Sequence, residues 1–363
     1  MFQLLLIESI CLIYVLSRRK YLLYNVSEST KKIFLMPFLL LTLFCVFYNS
    51  GWDYFSYGDT HKYIFSNGRK IEDLCIWLML YVRKYLLWRL IVWGIAIFFI
   101  VKTVNFINAS PKLFYPLFVM LPLVQVFYVT RNSMGHAVLF FALALMTYGS
   151  YRKLIKIFCA IMLIVASYFM HKSMPLYFFV AIAALVVPLN KKIIIASIIA
   201  FPFLYVGILH YSELFLELHG LSDNMINAGN SYLSRDNEMS LTTMGKITRA
   251  IEMFPILLIL AYSIWNTISH KYTLSYCMKV FLLYTYILIY ASFLFLGQAS
   301  DFLHPRFWNA AQIPLSLFLG VYLIDKRNQK IPRIFMLTLF VSFFYTLIYR
   351  AYCWSDYGFL IQY

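Results

Sequence analysis

The sequence predicts an all-α polytopic membrane protein with about twelve transmembrane helices. The 363 residues are 62% hydrophobic and only 13% charged, and the mean hydropathy of +0.74 is far above that of a soluble domain. Apolar runs long enough to cross a hydrocarbon layer of roughly 30 Å recur along the whole chain. The Lys and Arg residues fall in short clusters between those runs. We therefore expect one integral membrane domain over residues 1–363, with no separate soluble domain and no internal repeat.

The predicted spans follow one another with short connections, apart from two long ones. They cover residues 2–17, 33–48, 87–107, 113–129, 134–150, 154–170, 173–188, 192–209, 249–267, 276–297, 307–324 and 333–350. The first run has neither a charged n-region nor a small-residue cleavage site, so we expect a retained span and not a cleaved signal.

The distribution of charge predicts the orientation of the spans. If the chain starts outside, the inward connections carry most of the Lys and Arg residues and only two acids, Glu28 and Asp325. This asymmetry follows the positive-inside rule and places both termini outside.

The scattered basic clusters also argue against a nucleic-acid partner, since binding to nucleic acid favours one continuous basic stripe. Six scattered cysteines predict neither a metal site nor a disulfide framework.

Two outward segments are long, residues 49–86 and 210–248. The first opens with GWDYFSYGDTHKYIF (residues 51–65) and continues into an amphipathic helix predicted to lie in the membrane interface over residues 71–88. The second is rich in Ser, Asn, Asp and Gly and is typical of a mobile outer loop or lid.

Two interpretations of the stretch 51–65 stay open. Its aromatic side chains are typical of an interfacial belt around a solvated loop. Alternatively, Trp52 and Tyr57 present flat faces to sugar rings, and Asp53 or Asp59 binds a hydroxyl group or acts as a general base.

Two outward helix starts carry an arginine. Arg131 precedes the fifth predicted span, where Asn132 or Ser133 is expected to cap the helix. Pro305 suits the first helical position of the eleventh predicted span, which puts Arg306 in its first turn. The unpaired N–H groups of a helix start favour an anion, and arginine binds phosphate oxygens bidentately.

A third polar helix start follows the short turn between the sixth and seventh predicted spans. Ser173 or Lys172 is expected near the cap, with Pro175 in the first turn, so that His171 also lies at the outward end. His171 either holds the turn through a hydrogen bond or accepts a proton from a sugar hydroxyl. Lys172, like any cation at the end of a span, is alternatively explained by snorkelling to lipid phosphates.

Two further residues precede Arg306. Asp301 and His304 either cap the loop or orient the arginine. The sequence contains no glycine-rich phosphate loop, paired metal carboxylates or His-x-x-x-His pair, so we expect no cofactor and no metal.

Four segments together resemble the EpsG-like branch of the Wzy-type bacterial polysaccharide polymerases. They are GWDYFSY (51–57), YVTRNSMGHAVLFFALAL (128–145), ASYFMHKSMPLYFF (166–179) and PRFWNAAQIPLSLFLG (305–320). Asn132 stands where that family commonly has Gln, and Tyr48-Asn49-Ser50 replaces an arginine that usually precedes the first motif. By position, Arg131, His171 and Arg306 match the family's polar residues, and Asp53 and Tyr57 fall in its first motif.

The resemblance implies a metal-independent glycosyltransferase of the bacterial inner membrane with a GT-C-like fold. Such an enzyme joins undecaprenyl-diphosphate-linked oligosaccharide repeat units into O-antigen or a related surface polysaccharide at the periplasmic face. The lipid-linked oligosaccharide is both donor and acceptor, and a chain-length regulator protein is a further partner. Arg131 and Arg306 would bind the donor diphosphate, and His171, Asp53 or Asp59 would accept the proton of the acceptor hydroxyl.

Two other functions need similar features. A flippase for the same lipid-linked unit would also use many helices, but it favours internal pseudo-symmetry and cations in the middle of spans. An O-antigen ligase would use similar diphosphate chemistry with lipid A as the acceptor.

Overall fold

Seven long helices make up most of the part of the chain that the structure describes. The structure is a computed structural model, and it describes residues 85–109, 130–148, 153–171, 173–196, 243–269, 274–295 and 303–322, with isolated positions at 10, 35–36, 38–40, 78, 81–82, 114–115, 118, 199–200 and 203. The helices are α1 (Tyr85–Phe106), α2 (Thr130–Thr147), α3 (Lys153–Met170), α4 (Met174–Val186), α5 (Thr243–Ile268), α6 (Tyr276–Phe295) and α7 (Leu303–Tyr322). Within these described residues there is no strand, as the sequence predicts.

All seven helices coincide with predicted spans, with ends that shift by a few residues. Two of them contain stretches long and apolar enough to cross a membrane, Leu87–Phe106 in α1 and Tyr276–Phe293 in α6. The predicted spans at 2–17, 33–48, 113–129, 192–209 and 333–350 lie wholly or mostly outside the described residues, as do most of the segment 49–86 and the loop 210–248.

Three boundary predictions are wrong. α2 begins at Thr130, so Asn132 and Ser133 are buried helical residues and not its cap. α7 begins at Leu303, so that His304 lies in its first turn and not in a loop. A proline is tolerated at Pro305 because the first N–H groups of a helix have no intrahelical acceptor. α1 begins at Tyr85, so the interfacial helix predicted over 71–88 does not extend to Trp88; that residue, which the predicted span 87–107 also contains, is fully buried in the bundle.

Helix α2 lies at the centre of the bundle. It packs against α1, α3, α4, α6 and α7, and residues 132–140 are buried on every side. A helix that lacks a distinct solvent-facing side is buried in this way when it lies at the centre of a bundle. α1 runs parallel to α2, with Phe99 against Phe141 and Phe106 against Tyr148 at centroid distances of 5.6 Å each.

The ends of α1 and α2 meet the start of α3 at one end of the bundle, which we call the Lys156 end. The Nζ of Lys156 donates to the carbonyl oxygen of Tyr148 at 3.2 Å and lies 5.2 Å from the ring centroid of Phe106. The Asn108 side-chain amide donates to the Tyr148 hydroxyl at 3.0 Å. Because α3 and α4 are joined by a tight turn, α4 also ends on this side, where the hydroxyl of Tyr276 at the start of α6 donates to Leu185 at 2.9 Å.

One face of α3 exposes a continuous apolar stripe. Its members recur at helical spacing and are all large: Leu154, Ile155, Phe158, Ile161, Met162, Val165, Tyr168 and Phe169. An exposed apolar surface of this length is typical of a face that contacts lipid or another protein.

Gly135 allows α2 to approach α4 closely, and this contact can be tested. A Cβ at Gly135 would lie 2.9 Å from the Sδ of Met174, which is itself fully buried, whereas a Cβ at Gly94 in α1 would meet nothing within 4 Å. We expect Gly135→Ala to lower the free energy of unfolding by about 1–3 kcal/mol through overpacking.

Gly94→Ala is the matched control. It should leave stability unchanged or raise it by up to about 1 kcal/mol, because alanine is the better helix former. Thermal unfolding of the purified protein in detergent measures both, and Met174→Ala combined with Gly135→Ala should recover part of the loss. Equal stability of the two alanine variants would contradict the close approach.

Candidate functional site

The three polar helix starts singled out in the sequence meet at one end of the bundle, which we call the His171 end. At the start of α4, the Oγ of Ser173 lies 3.4 Å from the Oδ1 of Asn132 in the first turn of α2. One turn into α4, the ring of Tyr177 contacts that of Phe307, next to Arg306 in α7, with a centroid distance of 6.3 Å. Residues far apart in the chain are thereby brought to one place.

The turn between α3 and α4 is held by His171, which is 8% exposed. The backbone N–H of Ser173 donates to the Nδ1 of His171 at 3.1 Å, and the Ser173 hydroxyl lies 2.7 Å from the same nitrogen. The backbone continues the turn with bonds from His171 N–H to Ser167 and from Met174 N–H to His171. Ser173 is the N-cap residue of α4, as predicted, but its side chain makes no hydrogen bond to the helix backbone.

These bonds determine the tautomer of His171. A backbone N–H can only donate, so Nδ1 must be the acceptor and carries no proton in this geometry. The ring is then neutral with its proton on Nε2, which makes Nε2 a hydrogen-bond donor. This arrangement supports the first of the two interpretations, in which His171 holds the turn through a hydrogen bond. Because Nε2 carries the proton, the arrangement does not favour His171 as a base acting through Nε2.

A second histidine, His136, lies deeper along α2. It is four residues after Asn132, hence on the same helical face and about 6 Å further along the axis. Its ring meets the edge of Tyr177 at a centroid distance of 4.3 Å and stacks on Phe140 at 5.9 Å. His136 therefore connects the turn at the His171 end with the interior of the bundle.

The polar atoms of His136 are buried without a protein partner. The residue is 2% exposed, and neither ring nitrogen has a hydrogen-bond partner in the part of the chain that the structure describes. A buried polar group in this state lowers the stability of a protein by about 1–3 kcal/mol. Such a group calls for a functional or ligand-binding explanation.

The predicted site residues fall into two groups. Arg131 lies in the first turn of α2, and Arg306 lies with His304 in the first turn of α7. The others lie outside the described residues: Trp52, Asp53, Tyr57, Asp59, Lys172 and Asp301. The roles assigned to all of these residues stay predictions.

Sequence reasoning missed two residues near this end. Arg89 is 1% exposed in α1, and the register that pairs Phe106 with Tyr148 places it level with the first turn of α2. His136 is the other. The available signal was the same for both, an ionisable residue inside an apolar span, which marks a functional candidate by default.

The starts of α2, α4 and α7 also give the His171 end a favourable potential for anions. Each helix start contributes the positive end of a helix dipole. With arginines in the first turns of α2 and α7, this end of the bundle has the elements of a phosphate-binding site.

No family model, curated protein or solved structure matches the chain in the comparisons with known proteins. The resemblance to the polysaccharide polymerases therefore stays a prediction from the sequence.

The hydrogen bond accepted by His171 predicts different effects for two substitutions. His171→Asn places an amide oxygen near the position of Nδ1 and should preserve the turn. His171→Leu leaves the Ser173 N–H without its acceptor and should lower the free energy of unfolding by about 1–3 kcal/mol. Thermal unfolding in detergent compares them, and a leucine variant as stable as the asparagine variant would show that the bond does not hold the turn.

Proposed function

We propose that this protein is a polymerase that joins undecaprenyl-diphosphate-linked oligosaccharide repeat units into O-antigen or a related surface polysaccharide. The observation that carries the proposal is the meeting of α2, α4 and α7 at the His171 end, through the Ser173 to Asn132 and Tyr177 to Phe307 contacts. Two arginines in first turns and a histidine that presents a donor suit a negatively charged diphosphate.

We also propose that the protein is a multi-pass protein of the bacterial inner membrane, with about twelve spans and a GT-C-like fold. The apolar stretches of α1 and α6 and the exposed apolar stripe of α3 support a membrane location. Lys102, Lys156 and Lys191 lie toward the Lys156 end, which the positive-inside rule places in the cytoplasm. The His171 end and both termini are then periplasmic.

In the proposed reaction the growing chain on one lipid diphosphate is the donor, and a hydroxyl of the next lipid-linked unit attacks its anomeric carbon. The bond between that carbon and the diphosphate oxygen breaks, and its electron pair leaves with the diphosphate. Arg131 and Arg306 stabilise this developing charge, with His171 as a further donor through Nε2. Trp52, Tyr57, Lys172 and Asp301 belong to the walls that hold sugar and headgroup. The His171 tautomer does not favour His171 as the base. Asp53 and Asp59 remain the other bases predicted from the sequence.

Replacing either arginine tests the diphosphate site. We expect Arg131→Ala and Arg306→Ala to abolish the ladder of polymer lengths on a gel while the protein stays in the membrane, because the leaving charge loses a bidentate partner. Arg131→Lys keeps the charge but not the fork geometry and should remain strongly impaired.

Lys102→Ala is the matched control, since it removes a cation from α1 toward the opposite end of the bundle and should leave the ladder intact. A normal ladder from either arginine→alanine variant would contradict the diphosphate site. Loss of long chains with single-unit capping retained indicates a polymerase. Loss of all capping would instead indicate a flippase if the units accumulate on the cytoplasmic side, or a ligase if they accumulate outside.

A further inference from the structure

His136 differs from three buried serine and threonine side chains of the bundle. The hydroxyls of Ser263, Thr267 and Thr285 each donate to a carbonyl one turn back in their own helix, at 2.6 to 2.8 Å. Such bonds satisfy a hydroxyl inside an apolar bundle without any help from outside the helix. The ring nitrogens of His136 have no such partner among the described residues. Its burial is therefore not explained by the packing of α2 alone.

The surroundings of His136 connect it to the His171 end. Asn132, one turn nearer the start of α2, meets the Ser173 hydroxyl, which in turn lies 2.7 Å from His171. Among the described residues, Tyr177 of α4 contacts the ring of His136. A neutral imidazole has one donor and one acceptor nitrogen. A hydroxyl can pair with either nitrogen, because it both donates and accepts.

We propose that His136 is the proton acceptor of the polymerisation reaction, binding the acceptor hydroxyl either directly or through one bridging water. This inference rests on the proposed function. The hydroxyl proton passes to the unprotonated nitrogen of His136, and the oxygen electron pair forms the new bond to the anomeric carbon. The bond to the diphosphate breaks with its electron pair on the phosphate oxygen, and the proton is later released to solvent. His171 acts as the donor of the pair and His136 as the acceptor.

His136→Phe tests the proposal, because it keeps an aromatic ring and removes both nitrogens. We expect the thermal unfolding temperature of the full-length protein in detergent to rise, since two buried atoms without partners disappear. Turnover of undecaprenyl-diphosphate-linked repeat units, extracted from cells that lack this gene, should fall by about 100-fold or more. A structural histidine would instead give a variant with wild-type turnover, which overturns the proposal. If the phenylalanine variant is not recovered from membranes, His136→Leu takes its place with the same expected turnover.

Tyr284→Phe is the matched control. The Tyr284 hydroxyl is also buried without a protein partner in the described part of the chain, and its ring meets Phe140, one turn beyond His136 in α2. Its removal should raise the unfolding temperature and leave turnover unchanged. An equal loss of turnover in both variants would trace the effect to altered packing and overturn the assignment to His136.

Steady-state kinetics distinguish direct contact between His136 and the acceptor sugar from contact through a bridging water. Direct contact with the acceptor sugar predicts a raised KM for the lipid-linked unit in the His136 variant, whereas a bridging water predicts a lower kcat at unchanged KM. If the wild-type protein does not polymerise these units, the proposed function fails. If the wild type is active and Asp53→Asn or Asp59→Asn abolishes turnover while His136→Phe retains it, only the assignment of the base to His136 fails.

Discussion

The site depends on one hydrogen bond, donated by the backbone N–H of Ser173 to the Nδ1 of His171. It closes the turn that reverses the chain between α3 and α4, and it leaves the Ser173 hydroxyl beside Asn132 of α2. The same bond determines which ring nitrogen carries the proton. One interaction thus determines the local turn geometry, the contact between α2 and α4, and the chemistry that His171 can perform.

Packing then places the other helix starts around this turn. Gly135 lets α2 approach Met174 in α4, and Tyr177 reaches Phe307 in α7. In the proposed diphosphate site, the dipoles of three helices add to the charges of the arginines in the first turns of α2 and α7. At the opposite end the amine of Lys156 meets a carbonyl and an aromatic ring. This separation gives the bundle two chemically different ends.

Much of the helical framework could be predicted from the sequence, because long apolar runs and Pro175 after a short polar turn are local signals. The starts of α2 and α7 could not be located, since burial of Asn132 and Ser133 by other helices extends α2 beyond its apparent cap. The three polar helix starts could be singled out, but their meeting depends on non-local contacts. The tautomer of His171 and the burial of His136 follow only from three-dimensional geometry.

A cryo-EM structure of the full chain in nanodiscs with undecaprenyl diphosphate would test the diphosphate site most directly. We expect the diphosphate to lie at the His171 end, between the first turns of α2 and α7 and within hydrogen-bonding distance of Arg131 and Arg306. A diphosphate bound at the Lys156 end, or one that leaves both arginines without contact, would contradict this expectation.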